Sequence, residues 1–97
     1  MNKGYVYIMT NKNKTTLYVG VTADLMKRIS EHKTKAHPAS FTAKYNCSML
    51  VFYQEFDSIV AAIAEEKRLK GGNRQQKIDL INSLNPNWID IAQDWYN

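Results

Sequence analysis

Gly4-Tyr5-Val6-Tyr7-Ile8-Met9-Thr10 is followed by the polar run Asn11-Lys12-Asn13-Lys14-Thr15 and then by Thr16-Leu17-Tyr18-Val19-Gly20-Val21-Thr22. The two flanking stretches are rich in Tyr, Val, Ile and Thr, so both read as strands, and the polar run between them reads as a hairpin loop. Strand side chains alternate between faces. Leu17, Val19 and Val21 therefore share a face with Val6 and Ile8, while Tyr5, Tyr7, Tyr18 and Gly20 lie on the other. A symmetric turn about Lys12-Asn13 sets Tyr7 opposite Tyr18 and Tyr5 opposite Gly20. The hairpin thus carries one aliphatic face and one face of tyrosines beside a glycine gap.

Beyond the hairpin, Thr22 or Asp24 can cap a helix that runs to about Lys33, with Leu25, Met26 and Ile29 pointing inward. Residues 34–47 are basic and irregular, and Pro38 excludes a long helix there. Ser40 to Lys44 can form one helical turn. Met49-Leu50-Val51-Phe52-Tyr53 is apolar on both faces and predicts a buried strand. A helix over 58–70 closes at Gly71-Gly72, another covers about 74–84, and Asn85-Pro86 opens a short last helix with Trp88, Ile91, Ala92 and Trp95 on its apolar stripe. The fold class expected is α+β: a small three-stranded, mainly antiparallel sheet flanked by helices.

Ninety-seven residues suit one domain, and 44% hydrophobic residues suffice for a modest core. One cysteine, Cys47, excludes an internal disulfide and fits a reducing cytosol. No apolar run approaches the ~20 residues of a membrane helix, which predicts a soluble, cytoplasmic protein without a membrane partner. The net charge of +4 is uneven: every Lys and Arg lies at or before Lys77, whereas Asp79, Asp90 and Asp94 follow with no base among them. A basic body suits a polyanion, and it also suits an ordinary solvated surface.

Several side chains have types suited to chemistry. Tyr7 and Tyr18 can relay protons if a cation tunes them, or can simply pack across a hairpin. Gly20 marks close approach of a ligand or backbone, or a β-bulge. Arg28 and His32 are four apart and share a helix face, where arginine suits a phosphate and histidine a proton. Placed at 3.6 residues per turn, Ile59, Ala62, Ile63 and Leu69 define an inward face that contains Glu66 and excludes Glu65. A carboxylate on a core-facing stripe binds a metal ion or forms an ion pair, here with Arg28 or Lys70. Asn85 fits a site residue and also a helix cap, with Asn82 as its competitor. Lys67, Arg68, Lys70, Arg74 and Lys77, with Lys33 and Lys35, can follow a phosphate backbone. Phe41, Tyr45 and Tyr53 can stack bases or pack the core.

Tyr5-Val6-Tyr7 and Tyr18-Val19-Gly20, followed by Arg28 and His32 and later by Glu66, together resemble the signature of the GIY-YIG nuclease superfamily, and the resemblance covers nearly the whole chain. The first tripeptide is degenerate but keeps its tyrosine, and the second differs only by Val for Ile. The resemblance implies a single GIY-YIG-like nuclease domain over residues 1–97, similar to the module of the excision-repair incision subunit and closest in size to small stand-alone members. It implies a metal-dependent endonuclease that hydrolyses phosphodiester bonds, on DNA ahead of RNA, with single strands among the candidate substrates. In that reading Tyr7 and Tyr18 activate water, Arg28 steadies the phosphate, His32 relays a proton and Asn85 joins the site. Glu66 holds one Mg²⁺ or Mn²⁺. Gly20, Lys33, Lys35, Lys67, Arg68, Lys70 and Arg74 would contact nucleic acid, and the chain would act as a monomer or weak homodimer. The rival reading is a non-catalytic nucleic-acid-binding module that retains the fold.

Overall fold

The computed structural model describes residues 3–96. Seven elements follow in order: β1 (Gly4–Thr10), β2 (Leu17–Thr22), α1 (Leu25–Thr34), α2 (Phe41–Lys44), β3 (Met49–Phe56), α3 (Ile59–Gly71) and α4 (Arg74–Leu84). The strands form one antiparallel sheet in the order β2-β1-β3, with β1 central. The α+β architecture matches expectation.

The two faces of the hairpin are those its alternation dictates. Val6, Ile8 and Val19 join Val51, Ala62, Leu69 and Ile81 in one buried cluster, under α3 and α4. Tyr7 and Met9 join Leu25, Ile29, Cys47, Leu50 and Ala92 in the other, under α1 and the C-terminal segment. Gly4 allows α3 to lie against β1, because a Cβ there would sit 2.6 Å from the Ala62 Cβ.

The hairpin register differs from the symmetric turn. Tyr7 pairs with Gly20, Tyr5 with Thr22, and Tyr18 with Met9. The cause is a side-chain clasp. Asn11 Oδ1 accepts from the Thr15 and Thr16 amides at 2.9 and 3.0 Å, and Lys14, at φ 59°, returns its amide to the Asn11 carbonyl. The turn centre moves by one residue. That shift changes every partner yet leaves every side chain on its face.

Caps set the helix starts: Asp24, Ser40, Ser58 and Asn73 each accept from an amide in the first turn. On α3 Ala62 and Leu69 are buried, but Ile63 is exposed, so the inward stripe is narrower than its spacing suggests.

The expected last helix does not form. Residues 85–96 make turns, with Trp88 at φ 52°. Polar contacts to β3 compete with helical ones here. The Ile91 amide donates to the Leu50 carbonyl at 2.8 Å, and Asp90 Oδ1 accepts from the Leu50 amide at 3.0 Å and the Ala92 amide at 3.1 Å. The segment therefore lies along the strand and inserts Ala92 into the tyrosine-side core. Among the described residues no helix is long and apolar enough to cross a membrane.

Candidate active site

The Tyr7 ring is fully buried and lies directly across Gly20. A Cβ on residue 20 would fall 2.3 Å from the Tyr7 Cζ, so the glycine is the space the phenol occupies. From there the phenol meets His32, Oη to Nε2 at 2.8 Å. The other imidazole nitrogen, Nδ1, lies 2.8 Å from Thr42 Oγ1, which is itself 3.3 Å from Ser40 Oγ. Phenol and hydroxyl are each donor and acceptor, so the chain Tyr7–His32–Thr42–Ser40 can carry hydrogen in either sense.

Burial sets the charge states. Desolvation, with the Arg28 charge behind it, pushes His32 down to about 4, so the imidazole is neutral at pH 7. Burial and the neighbouring Tyr18 hold the Tyr7 phenol well above its ordinary value, and the Arg28 charge offsets this only in part. The expectation that a cation tunes the pair downward fails for Tyr7, where desolvation outweighs the cation.

Tyr18 stands beside the pair on a diagonal. Its ring centroid is 6.2 Å from Tyr7 and 5.6 Å from His32. Unlike Tyr7 it is only half-buried, and it lines a cavity of about 160 Å³ with Arg28, Glu31, His32, His37, Ser40, Phe41 and Thr42. Arg28 enters from one turn earlier on α1 than His32, and its Nε lies 3.3 Å from Glu31 Oε1. That contact is exposed and weak, worth about 0–1 kcal/mol. A phosphate can displace it and take the guanidinium as a fork.

The fold thus brings Tyr18, Arg28 and His32 around one small cavity, with the buried Tyr7 phenol behind it on His32. The sequence profile of the GIY-YIG catalytic domain matches residues 3–79. The chain belongs to the GIY-YIG family. It is 35% identical over 81 residues to a UPF0213 protein of Syntrophus aciditrophicus, covering 84% of this chain and 92% of that one. A UPF0213 protein of Staphylococcus haemolyticus is likewise 35% identical over 81 residues, covering 84% and 96%. The solution NMR structure of a UPF0213 protein from Bacillus halodurans superposes with a TM-score of 0.58 at 26% identity, covering 95% of this chain and 97% of that one. GIY-YIG membership implies a nuclease-type function on a nucleic-acid substrate, and nucleases of this family typically use a divalent metal ion.

In this GIY-YIG domain Glu66 sits on α3, against the opposite side of the sheet from α1. Its side chain is 14% exposed, and its Oε2 lies 3.0 Å from Lys70 Nζ. The Lys70 ammonium is in turn 6.0 Å from the Tyr18 ring centroid. One lysine therefore links the carboxylate to the edge of the tyrosine cluster. Among the described residues no three His, Cys, Asp or Glu side chains gather into a metal-binding group. A lone carboxylate fits Mg²⁺, which keeps several waters and takes its remaining ligands from substrate phosphate. The ammonium on Oε2 is the ion pair that the sequence offered as the alternative to a metal ion, and a metal ion would share the carboxylate with Lys70 or displace it.

The other expected residues are spread more widely. Asn85 caps α4, and its amide is fully engaged by backbone: Nδ2 donates to the Val51 and Ile89 carbonyls, and Oδ1 accepts from the Ile89 amide. It pins the C-terminal segment to β3 and does not join the tyrosines. Asn82 accepts from the Trp88 indole. Lys33 is paired with Asp90 at 2.5 Å and donates to the Ser48 carbonyl. Lys35 bonds Asn46, Arg68 bonds Glu65 through two nitrogens, and Arg74 donates to the Thr15 carbonyl. Glu65, expected to point away, is 20% exposed because that pair folds it back onto the helix. Lys67 is exposed and has no polar partner among the described residues.

Sequence reasoning missed Thr42, Ser40, Glu31 and His37. Ser40 carried one signal. As cap of α2 it accepts from the Ala43 amide, which fixes the short turn that buries Thr42 against His32.

Proposed function

We propose that this chain is a metal-dependent endonuclease that hydrolyses nucleic-acid phosphodiester bonds, acting as a single domain on DNA ahead of RNA. The observation that carries the reading is the 2.8 Å contact between the Tyr7 phenol and a neutral His32, at the edge of a cavity that also holds Arg28 and Tyr18.

The attacking water sits at the Tyr18 hydroxyl, the phenol of the pair that faces the cavity. Its oxygen attacks phosphorus as its proton passes toward the Tyr7–His32 contact; the imidazole, held neutral by burial and Arg28, takes that charge only as the anionic phosphate beside it offsets the desolvation. The bond to the leaving oxygen breaks, and that oxygen takes up a proton from solvent. Arg28 binds the non-bridging oxygens and meets charge that grows in the transition state. Thr42 fixes the imidazole plane through Nδ1. Glu66 is the residue that would hold the one Mg²⁺ or Mn²⁺. When bound, the ion supplies Lewis-acid neutralisation of the phosphate and leaving oxygen. The buried, lone Cys47 thiol supports a reducing, cytoplasmic setting.

The test is cleavage of end-labelled single- and double-stranded DNA and RNA, in Mg²⁺, in Mn²⁺ and with chelator, for the wild type and Glu66→Gln. Cutting that needs the ion and is lost in Glu66→Gln is expected. Equal cutting by Glu66→Gln, or in chelator, would remove Glu66 from the metal role. Binding of nucleic acid with no cutting under any condition would leave the non-catalytic module.

A further inference from the structure

Phe41 is 45% exposed, although the residues of α2 that serve the core are Thr42 and Ala43. Its ring stacks on Tyr18, with centroids 5.9 Å apart and planes at 27°, and it leans on Tyr45 at 4.6 Å. Tyr18 and Phe41 form a wall between two cavities. On one side is the small cavity of Arg28 and His32. On the other is a cavity of about 320 Å³ with an apolar floor of Leu17 and Val19 and two ammonium groups at its rim, Lys70 and Lys77. Both lysines are held at that rim, Lys70 by Glu66 and Lys77 by long contacts to the Gly72 and Asn73 carbonyls.

We infer that this second cavity is a nucleotide subsite, in which one unpaired base lies against Phe41 and Tyr18 while its phosphate meets Lys70 and Lys77. The inference rests on the proposed nuclease function for what fills the neighbouring cavity. It adds a substrate class, single-stranded nucleic acid, and the residue that selects it. A π-face must be free to stack on a side chain, and in a duplex both faces of each base are already covered by neighbours. The apolar floor disfavours a bare phosphate or a peptide carboxylate, and the two ammonium groups disfavour a purely apolar ligand. The shared wall puts the bound nucleotide next in line to the phosphate at Arg28. Sugar identity is not read by any of these groups, so deoxy- and ribo-strands are distinguished by experiment.

Binding of short fluorescein-labelled oligothymidylate, oligouridylate and a duplex, measured by anisotropy in chelator across a salt series, tests the subsite without cleavage. Phe41→Ala should bind either single strand about 5- to 30-fold more weakly, with an unchanged salt slope. Phe41→Leu keeps apolar volume for folding and should lose affinity similarly, while Phe41→Trp should restore it. Lys77→Gln should lower the salt slope by about one. An abasic residue walked along the strand should weaken wild-type binding at one position and leave Phe41→Ala unaffected there. Wild-type affinity in both Phe41→Ala and Phe41→Leu, or equal abasic losses in all variants, would overturn the subsite. Preference of the wild type for duplex would do the same. A wild type that shows the expected binding pattern but never cuts would overturn the nuclease reading and leave the subsite standing.

Discussion

Alanine at position 20 is the sharpest perturbation the structure offers. Replacing glycine by alanine in a strand ordinarily stabilises by about 0.4–1 kcal/mol, because the unfolded chain loses freedom. Here the sign reverses. The new Cβ would sit 2.3 Å from Tyr7 Cζ, 2.4 Å from its hydroxyl and 2.9 Å from Cε1. The ring cannot step aside, since Tyr7 is fully buried beneath α1. Overpacking of this kind costs about 1–3 kcal/mol. Displacing the phenol also strains its bond to His32, a further ~1 kcal/mol. The expected loss is therefore about 2–4 kcal/mol, which for a domain of this size lowers Tm by roughly 8–25 °C. Urea or thermal unfolding reads it directly. A double-mutant cycle isolates the cause: in the Tyr7→Leu background the side chain ends short of position 20, and Gly20→Ala should cost under about 0.5 kcal/mol. If Gly20→Ala is neutral or stabilising, or costs the same in both backgrounds, then Tyr7 does not lie over Gly20 and the cavity is wrongly built.

Stability should also fall as the solution is acidified through His32. Its folded value of about 4 lies below the ordinary 6.5, so between those limits the unfolded chain binds a proton that the folded chain refuses, and stability present above about 6.5 is lost toward 4. Discounted for partial exposure the loss is about 1–2 kcal/mol, and it should be absent from a His32→Asn variant in the same pH series of melts. Arg28→Ala should slow single-turnover cleavage by about 3–4 kcal/mol while weakening binding far less, whereas neutralising Lys67, Arg68 and Lys70 together should mainly flatten the salt dependence of binding. Equal affinity losses with unchanged cleavage of bound strands would reduce Arg28 to an ordinary phosphate contact. Asp90→Ala removes the acceptor of two amides and the partner of Lys33. It should cost about 2–4 kcal/mol in urea melts and leave cleavage per folded molecule unchanged; a specific loss of rate would place the C-terminal segment in the site.

The readable parts of the sequence were those governed by a short period. Alternation alone assigns Val6, Ile8 and Val19 to one sheet face and Tyr7 and Tyr18 to the other, and four-residue spacing alone puts Arg28 beside His32. What depended on a single polar side chain was not readable. The Asn11 clasp moved the hairpin register, and the bonds of Asn85 and Asp90 to β3 replaced a helix whose apolar spacing is genuine. Thr42 is legible only once α2 is docked, because its partner lies ten residues away on another helix. Glu66 was placed by helix phase, yet Ile63 on the same stripe is exposed, so phase gave the direction of the stripe and not its width.

The family profile stops at residue 79, but the fold does not. Ala92 is fully enclosed beside Tyr7 and Met9, Ile91 and Trp95 pack against the same cluster, and the Tyr96 hydroxyl donates to the Met26 carbonyl on α1 at 2.6 Å. For anyone grafting this domain onto another protein, the profile boundary is the wrong place to cut. A graft ending there would carry every side chain that lines the tyrosine cavity and lack the strap that completes the core beneath Tyr7 and α1. Chimeras should therefore be joined beyond this strap, and attempts to swap domains among relatives should move it together with α1, its partner across the core.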